Sequence, residues 1–177
     1  MSRYPAIYAG QRLTGQLLQS SQPDIYTKVT NLDRAATTTV ADDPDLTAAL
    51  EANATYHVVF YIHFAALDAA QFQTQWTVPA SASGVRSAAG AAWTLAGGVA
   101  TASAADGGYH RSGVHAFATA VRYGTRNSAS NQCIATEESV LTTVGAGTLA
   151  LAWAQAVSNA TATRVAAGSS LHIRRLA

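Results

Sequence analysis

TYHVVFYIHFA, residues Thr55 to Ala65, reads as extended chain and as little else. Tyr56, Val58, Phe60, Ile62 and Phe64 fall at every second position and share one side of a strand, while Thr55, His57, Val59, Tyr61 and His63 share the other. A helix would scatter both sets around its circumference, and β-branched and aromatic residues favour a pleated surface. At ~3.3 Å per residue the strand runs about 36 Å. It needs a sheet, and its apolar side needs a second layer to pack on.

Upstream, Glu51-Ala52-Asn53-Ala54 turns the chain into this strand. Thr37 to Val40 and Leu46 to Leu50 are two β-compatible runs, and Asp42-Asp43-Pro44-Asp45 reads as a turn between them. Further back, IYTKVTN alternates Ile25, Thr27 and Val29 against Tyr26, Lys28 and Thr30. Downstream, Phe72, Thr74, Trp76 and Val78 alternate with Gln73, Gln75 and Thr77, and Pro79 ends the run. The short connection from Ala65 to Gln71 predicts an antiparallel hairpin between the two strands. Residues 80–112, rich in Ala, Ser and Gly, predict two or three short strands and a protruding loop from Ala105 to Gly113. Strand patterning resumes at Val114 to Arg122, Glu138 to Val144, Leu149 to Val157, Arg164-Val165 and Ser170 to Leu176. In the third of these, Leu149, Leu151 and Trp153 oppose Ala150, Ala152 and Ala154, a face small enough for another layer or subunit to approach closely. The expected fold is all-β: an antiparallel, jelly-roll-like β-sandwich over residues 25–177.

Residues 1–24 differ. Met1 to Gly10 reads as extended, and Leu13, Leu17 and Leu18 suit a helix of two or three turns that Gly15 weakens and Pro23 stops. An element so short, ahead of a β domain, predicts an arm for attachment or oligomer contact. Its contact residues would be Tyr4, Ile7, Tyr8, Leu13, Leu17 and Leu18.

Of 177 residues, 49% are hydrophobic and only 12% charged, against about 25% in an average soluble domain. Low charge with much Ala, Thr, Ser and Gly suits a chain that hides surface in an oligomer or larger particle. Net charge is +1 with no run of either sign, so no nucleic-acid partner is expected. The chain shows no apolar signal region and no segment long enough to span a membrane, so synthesis in the cytoplasm and no membrane partner are expected. The single cysteine, Cys133, excludes an internal disulfide and a thiolate metal site.

Catalytic chemistry finds no anchor. His57 and His63 share a face but stand about 20 Å apart along a strand, too far to share an ion. His110 and His115 flank a loop without a carboxylate or thiol at ligand spacing. Neither a G-x-S-x-G elbow nor a phosphate loop is present. The acidic residues Asp42, Asp43, Asp45, Glu51, Asp68, Asp106, Glu137 and Glu138 lie mostly in predicted turns, where solvated capping is expected. No enzyme, cofactor or metal is expected. Two loops carry recognition chemistry, Tyr109, His110 and Arg111 among glycines, and Tyr123, Arg126 and Asn127 in RYGTRNSASN.

Three segments carry a resemblance: AGQRLTGQLLQSSQP from Ala9, ADDPDLTAALEANATYHV from Ala41, and GTLALAWAQAVSNATATRVAAGSSLHIRRLA from Gly147. The chain resembles small virion structural proteins of tailed phages and prophages of actinobacteria, of the minor-tail or capsid-decoration type. It departs from their pattern at Gly15 and Ser20-Ser21, in the arm. The resemblance implies a β-sandwich, trimeric, carried on the capsid or tail of a virion and contacting other virion proteins. The alternative is a receptor- or carbohydrate-binding module that holds a host-surface glycan through the two loops.

Overall fold

The computed structural model describes residues 9–20, 22–92 and 110–177. Among the described residues one helix, α1 (Gly15–Ser20), precedes twelve strands. These are β1 (Asp24–Thr27), β2 (Leu32–Arg34), β3 (Ala41–Leu50), β4 (Ala54–Ala66), β5 (Phe72–Thr77), β6 (Arg86–Ala91), β7 (His110–His115), β8 (Val121–Tyr123), β9 (Ser128–Thr143), β10 (Gly147–Gln155), β11 (Thr163–Val165) and β12 (Ser170–Arg175). They form two antiparallel sheets, one ordered β1-β12-β4-β9-β6-β7 with β2 and β11 joined beside β4, the other β3-β10-β5-β8. The fold is the all-β sandwich that the alternating pattern predicts.

β4 is its centre. Tyr56, Val58, Phe60, Ile62 and Phe64 are buried, and Tyr61 on the opposite face is exposed. Its neighbour β9 pairs along nearly its whole length, from Ala54↔Thr143 to Phe64↔Cys133. Asn53, at φ 52°, makes the turn from β3 into β4, a left-handed backbone that asparagine tolerates better than most residues.

β4 and β5 do not form the expected hairpin. β4 pairs β9, β12 and β11, whereas β5 pairs β10 and β8 in the other sheet. Each strand turns its aromatic residues inward, and the two faces stack across the core: Phe64 lies on Phe72 at 4.4 Å and Phe60 meets Trp76 edge-on at 4.8 Å. Residues 67–71 are therefore a crossover between layers.

The expected turn at Asp42–Asp45 is also absent. β3 runs straight through Asp-Asp-Pro-Asp, but its register to β10 jumps from Thr47↔Ala150 to Asp42↔Ala152. Pro44 is tolerated because β3 is an edge strand and bulges there, where no ladder N–H is required. The run 37–40 is not a strand. The predicted strand 114–122 is broken at residues 116–120 into β7 and β8, and the backbone N–H of Trp76 bonds the Phe117 carbonyl in that break. The predicted loop 105–113 lies partly outside the described residues, while His110–Gly113 belong to β7.

Near β1 the expected pattern inverts. Val29 is exposed and Lys28, the single lysine of the chain, is buried. Its Nζ donates to Asp43 at 2.9 Å and Asp45 at 2.8 Å, and Trp153 Nε1 donates to the other Asp43 oxygen at 3.0 Å. These contacts join the edge strands β1 and β3 and close one side of the sandwich. The alanines of β10 are buried within the chain itself, so that face is already covered.

Candidate functional site

The opposite side, between edge strands β7 and β8, is not bridged by any described strand. A cleft of about 250 Å³ lies there, lined by Ala88, Arg111, Ser112, Gly113, His115, Ala120, Val121, Arg122 and Tyr123. Register explains the lining. In β6, Arg86 and Ala88 point into the core, and their β7 partners are His115 and Gly113, with Arg111 next in the same row. Small residues leave the space: a side chain at Gly113 would sit 2.8 Å from His115 Nε2, and Ala88 forms part of the floor.

Behind the cleft is a buried polar cluster. Glu137 of β9 is fully buried and accepts four hydrogen bonds. Thr74 and Tyr123 (2.7 Å) donate to one oxygen, and Trp76 Nε1 (2.5 Å) and Arg86 to the other. Arg86, also fully buried, donates onward to the carbonyls of Thr74 at 3.0 Å and Thr119 at 2.6 Å. The cluster thereby ties β6 and β9 of one sheet to β5, β8 and the 116–120 turn of the other. Burial, and then the charge of Glu137, push the Tyr123 phenol well above its ordinary value. With all four acceptor positions filled from the chain itself, Glu137 has a structural occupation.

The sequence-predicted residues fall as follows. Tyr4, Ile7, Tyr8 and Tyr109 lie outside the described residues. Leu13 is exposed just ahead of α1, Leu17 is half-buried within it, and Leu18 lies in the same helix. His110 and Arg111 are exposed, but on a strand rather than a loop. Tyr123 is a correction: at 3% exposure it is a core residue of β8, held by Glu137. Arg126 is half-buried and Asn127 exposed in the turn before β9, where Asn127 Oδ1 accepts the Asp68 amide at 3.1 Å. Arg111 and Tyr123, from separate predicted loops, meet in the cleft, whereas Arg126 and Asn127 do not line it.

Asp43 and Glu137 overturn the expectation of solvated acidic residues. Both are fully buried and paired with a cation. The signal for Glu137 was present in the alternation of β9, where it shares parity with Ala135, Ser139 and Leu141. No group of three His, Cys, Asp or Glu side chains at metal-holding distance occurs among the described residues. His57 instead bonds Glu138 across strands at 2.8 Å on the outer face.

That outer face, on the larger sheet, is uncovered by any other described element. It carries Val114 on β7, Ile134 and Val140 on β9 and Tyr61 on β4, with Val114 and Ile134 exposed at 65% and 68%. No family model, curated protein or solved structure was found to match the chain.

Proposed function

We propose that the chain is a non-enzymatic structural protein of a virion, self-associating and held to the capsid or tail through residues 1–24. The observation that carries this reading is the uncovered outer face of the larger sheet, with its exposed Tyr61, Val114, Ile134 and Val140. Such a face suits burial against other copies or a shell. The low charge and the resemblance of three segments to virion proteins support the same reading. The saturated hydrogen bonding of Glu137 and the pairing of Asp43 leave the buried carboxylates in structural roles.

The alternative, adhesion to a host glycan through exposed loop aromatics, is disfavoured by the burial of Tyr123. Light scattering on the purified chain, with localisation of the labelled chain in particle fractions, tests the proposal. A trimer that Ile134→Asp dissociates, and label in the particles, is expected. A monomer at every concentration, absent from particles, overturns it.

A further inference from the structure

We propose that the cleft between β7 and β8 is a binding site for a small organic anion carrying a carboxylate or phosphate group. The site is independent of where the chain resides.

Its charge is one-sided. Arg111 and Arg122 both line the cleft, together with His115, and no carboxylate among the described residues does. Neither guanidinium is hydrogen-bonded or ion-paired with a described residue, whereas Arg34, Arg86, Arg164 and Arg175 all are. The acid behind the floor, Glu137, is neutralised by Arg86 and saturated by three further donors. An entering anion therefore meets two guanidiniums without competition from a carboxylate of the described residues, and a guanidinium fork matches a carboxylate or phosphate in two parallel hydrogen bonds.

The walls are set before a ligand arrives. Tyr123 gives its hydroxyl to Glu137 and offers the cleft its ring. A side chain at Gly90 would come within 2.8 Å of that ring, so β6 packs directly against it. A fixed ring beside two guanidiniums needs little reordering on binding. Ala88, Gly113 and Ala120 keep the volume near 250 Å³, room for a single sugar acid or a phosphate ester rather than a polymer.

Calorimetric titration of the full chain with glucuronate, inorganic phosphate and glucose tests the site. Saturable glucuronate binding is expected, weakened about tenfold or more by Arg111→Ala and by raised salt. Val29→Ala, exposed beside β1 at the other edge of the larger sheet, should leave binding unchanged. Phosphate bound as tightly as glucuronate would assign the site to the anionic group alone, and glucuronate bound in preference would assign it to an acid sugar; both support the proposal. Glucose bound as tightly as glucuronate, no saturable binding of either anion, or equal binding by the Arg111→Ala and Arg122→Ala variants would overturn it. Arg111 is exposed, so circular dichroism of its variant should match the parent.

Discussion

At residue scale, the Glu137–Arg86 pair dominates the interior. Taking both charges out of water is costly, and the pair is tolerable because Thr74, Trp76, Tyr123 and two carbonyls supply most of its hydrogen bonding, with Arg86 Nε left buried and unpartnered. Glu137→Ala should cost about 3–5 kcal/mol in urea unfolding, since it strands the Arg86 charge. The double variant Glu137→Leu, Arg86→Met should recover most of that loss. Tyr123→Phe, which removes one donor, should cost about 1–3 kcal/mol at neutral pH. Its pH dependence has a definite sign. The folded-state phenol value lies above the unfolded one, so the Tyr123 contribution is whole below about pH 10 and is lost as pH rises past it. Urea midpoints measured from neutral to alkaline pH should show the gap between wild type and Tyr123→Phe narrowing above about pH 10. Tyr123 was legible as an aromatic near an arginine. Its burial was not, because a three-residue strand is too short to show parity.

At the scale of elements, legibility follows period. β4 and β10 announce themselves because five and three large apolar side chains, respectively, recur at every second position. The same rule says nothing about which strands pair, and β4 and β5 separate because their aromatic faces stack across the core rather than lie side by side. β3 was obscured by Asp-Asp-Pro-Asp, whose local turn preference yields to tertiary contacts: Asp43 must reach Lys28 and Trp153. Lys28→Ala should leave the Asp43 carboxylate buried without its cation, at a cost of about 3–5 kcal/mol. Hydrogen exchange should then show amides of β3 losing protection ahead of those of β4 and β9.

For the whole molecule, the core among the described residues draws on Leu32 onward, and the sandwich should fold without its arm. A chain comprising residues 23–177 should keep a β-type circular dichroism spectrum and nearly the same melting temperature, while losing attachment to particles. A large drop in melting temperature would make the arm part of the fold. The sandwich was readable from the sequence as a class. The asymmetry between its two sides was not, since it depends on which edges face each other: β1 with β3, bridged by a buried lysine, and β7 with β8, which no described strand bridges.

The smaller sheet has one further consequence. Its outer strands are β8, three residues long, and β3, where residues 43–46 stand opposite Leu151 alone and Pro44 lacks an N–H. Neither border offers a straight row of free backbone donors and acceptors on which a foreign strand could grow. Copies crowded at high local density can thus touch through side chains without templating fibrils from this sheet.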